Sequence, residues 1–100
     1  MHLDTVFYSL SDPIRRDMLR RIGRGAMSVS ELADPYDISF AAVSKHLKVL
    51  ERAGLVRKRK EGRHRVVSLE PKALKQADAY LERYRRMWEG RYRKLDSLLK

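Results

Sequence analysis

A chain of 100 residues with 43% hydrophobic and 36% charged side chains has the apolar material for one core, which excludes a disordered segment and leaves room for little beyond a single domain. Its 23 Lys and Arg against 13 Asp and Glu give a formal charge of +10, which points to a polyanionic partner. The absence of cysteine removes disulfides, thiolate metal sites and thiol nucleophiles; with no long apolar run and no signal-peptide core, a cytoplasmic protein with no membrane partner is expected.

Taken in chain order, Leu3, Val6, Phe7 and Leu10 have helical spacing, and the run SLSDP ends that helix. Asp12 stands as an N-cap and Pro13 at the first helical position, where its missing N–H is harmless. The second helix is expected to bury Ile14, Met18, Leu19 and Ile22 and to keep its arginines in water, with Gly23 and Gly25 ending it. Ser28 and Glu31 are spaced as a capping box, so a short third helix starts there and Pro35 limits it. Ser39 is the next cap. Val43, Leu47 and Leu50 share one face of the fourth helix, and Gly54 is placed to end it in a left-handed turn that lets Leu55 pack back.

Beyond Gly54, the stretch LVRKRKEGRHRVVSLE holds two strand-forming runs around Gly62-Arg63, and a glycine first in a two-residue loop favours a type II′ hairpin. Alternation on the first strand is imperfect, which leaves its register open. Pro71 opens a last helix that reaches nearly to Lys100, in which Leu74, Ala77, Leu81, Tyr84, Trp88, Leu95 and Leu98 follow steps of three and four, interrupted by Arg91. At 1.5 Å per residue such a helix spans about 43 Å, longer than a domain of this size is wide. Its apolar stripe therefore needs a second chain, so a homodimer is expected through Leu74, Leu81, Tyr84, Trp88, Leu95 and Leu98, with Leu3 and Phe7 of the first helix contributing. Gly90 costs about 1 kcal/mol inside a helix and marks a place for a kink or break. Tyr80, Tyr84 and Met87 around Trp88 also fit an effector pocket, but an aromatic stripe at helical spacing more often packs a seam.

The positive charge is concentrated. Residues 1–38 carry five basic and six acidic groups, whereas residues 39–65 carry nine and two. Two short helices in tandem followed by a basic hairpin describe a mainly α winged helix-turn-helix: about five helices plus a two-stranded wing in one domain, dimerising through its terminal helices. The helix-turn-helix falls at about 28–54, the wing at about 55–70 and the dimerisation helix at about 71–99. In that architecture the fourth helix enters the major groove of double-stranded DNA. Ser39 lies at its start, Phe40 and Ala41 suit thymine methyls, and Ser44 and Lys45 suit base edges or phosphates, with Lys48 one turn further on. For Lys48 a solvated face is an equal reading, and for Phe40 packing or a mixed role is favoured. In the wing, six Arg and Lys crowd a tight turn in RKRKEGRHR, a cluster whose repulsion an anion would offset. Arg59, Lys60 and Arg65 are placed for phosphates, and Arg63 at the tip for the minor groove or a phosphate.

No phosphate-cradling glycine loop, nucleophile motif or recognisable acid pair is present, so no catalytic residues and no enzyme are expected. The histidines His2, His46 and His64 have no second ligand at helical spacing, and a metal site would need a dimer to assemble His2 with carboxylates. His46, near the side of Val43 and Leu50, reads as a hydrogen-bonded structural histidine. Neither a metal nor another cofactor is expected.

Through LSDPIRRDML, SVSELA, ISFAAVSKHLKVLERAGLV and the wing with VVSLEP after it, nearly the whole chain resembles the ArsR (arsenical-resistance repressor) family of winged-helix regulators. The resemblance implies a homodimer joined by its terminal helices that binds an inverted-repeat operator and represses transcription until a signal, such as an unidentified small-molecule effector, releases it. The family's metal sensors often carry Cys-Val-Cys where this chain has Ser28-Val29-Ser30, and others place ligands along a C-terminal helix that here holds no histidine. The chain therefore looks like a member without a recognised metal site. Two other readings stay open: a sequence-indifferent architectural binder of DNA or RNA, and a protein-interaction module.

Overall fold

The computed structural model describes residues 3–99. The chain runs α1 (Leu3–Ser9), α2 (Pro13–Arg24), β1 (Met27–Ser28), α3 (Val29–Ala33), α4 (Phe40–Arg52), β2 (Val56–Glu61), β3 (His64–Leu69) and α5 (Pro71–Leu99). The helix starts follow from their caps. Asp12 accepts from the backbone N–H of Ile14 and Arg15, and Pro13 follows it. Ser28 and Glu31 form the reciprocal capping box of α3, and the Ser39 hydroxyl accepts from Ala42 N–H at 3.1 Å to open α4. Each bond satisfies a donor that the first helical turn would otherwise leave without a partner.

The end of α4 is a Schellman turn. Gly54 N–H bonds to Glu51 O at 3.0 Å and Leu55 N–H to Leu50 O at 3.1 Å, while Gly54 sits at φ 75°. Leu55 thereby turns back and is fully buried beside Val43, Leu47 and Leu50. Met18 and Ile22 of α2, Val6 of α1 and Leu32 of α3 complete the core, with Ile14, Leu19 and Leu10 half-buried against it. Burying each of these large side chains contributes roughly 1.5–3 kcal/mol.

The hairpin closes as expected. Glu61 pairs with His64, Gly62 takes φ 60° and no non-glycine residue has positive φ, a combination that fits type II′ and excludes type I′. The sheet differs from expectation in having three strands, in the order β1-β3-β2. Met27 pairs with Val67 and Ser28 with Val66, so the cap residue of α3 is also an edge-strand residue. A two-residue strand has no alternation to reveal it; it exists because β3 offers a free edge beside it.

Three further expectations need correction. Gly23 lies inside α2, and Gly25 alone ends it. The α2 arginines do not all stay in water: Arg15 is buried, and Arg21 donates to Leu32 O at 2.7 Å and Glu31 O at 3.1 Å. Backbone carbonyls at the ends of α1 and α3 supply the acceptors that make these placements tolerable. Finally, α5 passes through Gly90 without a break, because the cost of one glycine is small beside the hydrogen bonds of the turns on both sides.

Asp12 carries a pH prediction. Burial alone would raise its carboxyl, but the N–H donors of Arg15 and Ile14 and then the neighbouring His46 and Arg15 side chains outweigh burial and hold it below its ordinary 3.8. A depressed carboxyl stabilises the fold above its unfolded pKa, and that contribution is lost as pH falls through the folded value. Asp12→Ala is expected to destabilise the protein by about 1 kcal/mol at neutral pH, and the gap from wild type should close on acidification. Denaturant unfolding across that range measures both; a gap that persists in acid would refute the capping role.

Candidate nucleic-acid interface

The core fixes which face of α4 is free. With Val43, Leu47 and Leu50 turned inward, the face carrying Phe40, Ala41, Lys45 and Lys48 is left exposed, and Ser44 is half-buried. Phe40 is 59% exposed, a position that offers an apolar ring outward rather than to the core. Ser39 is committed to capping through its oxygen, which leaves its O–H to donate. The α4 N-terminus thus presents two small or apolar groups, a hydroxyl and two ammonium groups on one surface, with the positive end of the helix dipole behind them.

The wing divides its cations by strand alternation. Val56 and its partner Leu69, and Val67 opposite Lys58, belong to the face turned to the core; Lys60 and Arg65 pair on that same face. Arg57, Arg59 and Glu61 lie on the other. Arg59 bonds Glu61 at 2.7 Å and Arg57 is paired with Glu70, so two wing cations already have counter-charges. No ion pair is present among the described residues for Lys58, Lys60, Arg63 or Arg65. A cleft of about 300 Å³ between the wing and α4 is lined by Phe40, Ser44, Lys58, Arg63 and Arg65 among others. Like charges directly opposite, as Lys60 and Arg65 are, oppose folding, and a phosphate between or beside them removes that penalty.

The cleft brings together Phe40, Ser44, Lys58, Arg63 and Arg65; Ala41, Lys45 and Lys48 share the exposed face of α4, Lys60 shares the strand face of Lys58, and Arg59 lies on the opposite sheet face. Lys58, which sequence reasoning passed over, joins the cleft in its place. Counting by twos from the buried Val56 would have found it. His46 has the structural role expected of it, with Nδ1 3.3 Å from Arg15 Nη1.

Of the expected seam residues, Phe7, Leu81, Tyr84, Trp88, Leu95 and Leu98 are exposed. Leu3 and Leu74 instead pack, half-buried, against the protomer's own core; Ala73 and Ala77 beside Leu74 are buried there too. Beyond Ala77 no described residue of α5 is buried. The Arg91 guanidinium that interrupts the stripe lies 5.0 Å over the Trp88 ring, so the charge joins the aromatic surface instead of breaking it. Among the described residues no three His, Asp or Glu side chains gather as metal ligands; His2 lies outside the described residues. Among the described residues no helix is long and apolar enough to cross a membrane.

A helix-turn-helix whose second helix projects a mixed polar and apolar face beside a cationic β-wing defines a winged-helix DNA-binding regulator. Residues 10–59 match a family model described as a helix-turn-helix domain. The chain is 40% identical over 81 residues to the HTH-type transcriptional regulator Rv2034 of Mycobacterium tuberculosis, covering 81% of this chain and 76% of that one. To the transcriptional repressor SdpR of Bacillus subtilis it is 31% identical over 67 residues, 67% of this chain and 74% of that one. The crystal structure of an ArsR family transcriptional regulator superposes with a TM-score of 0.81 at 38% identity, covering 87% of this chain and 90% of the other. This chain belongs to the ArsR family of winged helix-turn-helix transcriptional regulators.

The division of the wing has a measurable consequence. Lys58→Ala should weaken duplex binding severalfold and make the slope of log K against log salt shallower by about 0.9, the release expected for one phosphate contact. Arg59→Ala should leave both nearly unchanged. Anisotropy titrations at several salt concentrations distinguish them, and equal losses from the two variants would show that both sheet faces touch DNA.

Proposed function

We propose that this regulator is a cytoplasmic, homodimeric, sequence-specific repressor that binds an inverted-repeat operator in double-stranded DNA and performs no catalysis. The observation that carries this reading is the cleft that sets Phe40 and Ser44 of α4 beside the cations Lys58, Arg63 and Arg65 of the wing, with Lys60 opposite Arg65 on the same sheet face. Phosphate contacts from the wing supply affinity and orientation, while Phe40, Ala41, Ser44 and Lys45 read base edges. Lys48, further along α4, lies where a backbone contact extends the footprint. The whole chain acts as one domain: the helix-turn-helix seats the reading helix, the wing grips the backbone and α5 joins the subunits.

The second copy follows from α5. The molecule measures 60 × 28 × 22 Å with a radius of gyration of 17.4 Å, against about 13 Å for a compact chain of this length. The excess is a 29-residue helix whose distal half leaves Leu81, Tyr84, Met87, Trp88, Leu95 and Leu98 exposed. An identical helix meets that stripe with like side chains, and Phe7 at the edge of α1 extends the surface. We assign the Tyr80, Tyr84, Met87 and Trp88 group to this seam, and place the action of any small-molecule effector on the dimer rather than on the reading face. The repressor SdpR among the relatives supports repression as the output.

Selection from random duplexes is expected to yield a palindrome with half-sites about one helical turn, or a multiple of it, apart. A set of bound sequences with no consensus would instead identify a sequence-indifferent binder, and failure to bind any duplex at low salt would favour a protein-interaction module. Replacing Leu81 and Leu95 by Glu should convert the dimer to monomer in sedimentation at micromolar concentration and abolish palindrome binding, while the fold, held by residues up to Ala77, remains intact by circular dichroism. A wild-type protein that sediments as a monomer under those conditions would defeat the dimer model.

A further inference from the structure

The buried arginine of α2 is used by nothing described so far. Arg15 is 8% exposed, and its guanidinium reaches two other elements. Nε donates to Ser9 O at 2.7 Å and Nη2 to Tyr8 O at 3.1 Å, both at the C-terminal end of α1, and Nη1 lies 3.3 Å from His46 Nδ1 on α4. A guanidinium only donates, so in a hydrogen bond at this contact Nδ1 is the acceptor; the same Nδ1 stands 4.0 Å from the Asp12 carboxylate. The Tyr8 ring covers the group, 5.2 Å from its centre. The far side of α1 is itself held to α5, where the Phe7 and Tyr80 rings stand 6.3 Å apart.

His46 occupies the turn of α4 between the reading residues Ser44 and Lys45 and the phosphate-side Lys48. It is half-buried, on the flank between the core face and the exposed face. The apolar face of α4 resists withdrawal from the core and sets which side is free, but the contacts of Val43, Leu47 and Leu50 are non-directional and leave the fine rotation about the helix axis to other contacts. A directional hydrogen bond on the flank sets that rotation. We infer that Arg15 is a positioning residue for DNA reading: through His46 it fixes the rotation of α4 relative to α1, and so holds the reading face in register with the dimer seam. A lysine offers a single point of charge where three acceptors on two elements must be met at once, so it cannot substitute.

This inference rests on the operator-binding reading, and its test separates the two. The probe is the duplex that wild-type protein selects from a random pool, with a scrambled duplex of equal length as reference. The quantity read is the ratio of the two affinities at one salt concentration. His46→Leu keeps bulk and helix propensity but removes the acceptor, and it is expected to lower that ratio by about tenfold, within the range that one misplaced base contact costs. The salt slope should not change, because wing phosphates are untouched. His46→Asn, which restores an acceptor near the Nδ1 position, should recover most of the ratio. Arg15→Lys, where it folds, should match His46→Leu, and the double variant should lose no more than either alone, since both break one link.

A merely structural role would lower the melting temperature and leave the ratio alone. If folded, dimeric His46→Leu discriminates within about twofold of wild type, the positioning role is overturned while the operator reading stands. If wild-type protein selects no duplex sequence, the operator reading falls and this inference falls with it.

Discussion

One constraint organises this molecule: α4 must bury Val43, Leu47 and Leu50 in a core too small to cover the rest of it. An apolar face satisfied on one side leaves the opposite side in solvent, and the Schellman turn at Gly54 then sends the chain straight into the wing. Reading helix and wing are therefore neighbours because a single buried face and a single left-handed glycine set them there. Most of what the protein offers to DNA is a consequence of what its core removes from water.

The wing shows the tension between folding and binding. Lys60 opposite Arg65 is an unfavourable cross-strand pair, and Lys58 lies on the same face where the core gives way to the cleft. Stability is supplied from elsewhere: by Val56 and Val67 at the base of the strands, and by β1, which pairs with β3 and stiffens the hairpin beyond what two strands alone provide. The unsatisfied cations are thus held on a rigid support and face the place where a polyanion would lie.

Within α5 the same chain follows two different rules. Its first turns, through Ala73, Leu74 and Ala77, pack on the protomer's core, where small residues let the helix approach closely. Past Ala77 the helix outruns the body, and most of its leucines and aromatics stay exposed. Ion pairs such as Arg85 with Glu82 at 2.6 Å line its solvated side and contribute little to stability at that exposure. The long apolar stripe is consequently a statement about assembly, not about the fold of one subunit.

Local chemistry was legible in the sequence because it depends on neighbours a few residues apart. The caps at Asp12, Ser28 and Ser39, the left-handed turn at Gly54, the type II′ loop at Gly62 and the buried stripe of α4 all follow from short-range stereochemistry and periodicity, and with them the winged helix-turn-helix class and the exposed face of α4. What depends on residues distant in the chain was not legible. The third strand exists only because β3 presents an edge to Met27 and Ser28. Lys58 faces the cleft and Arg59 turns away because burial of Val56 against the core, a tertiary contact, decides which face of β2 each occupies. Arg15 is buried because carbonyls of Tyr8 and Ser9 and a ring nitrogen thirty-one residues away converge on it. Sequence by itself determined which elements form and which faces are apolar; tertiary structure alone decided which polar groups meet, because hydrogen bonds and ion pairs are short-ranged and directional and need their partners brought within about 3 Å.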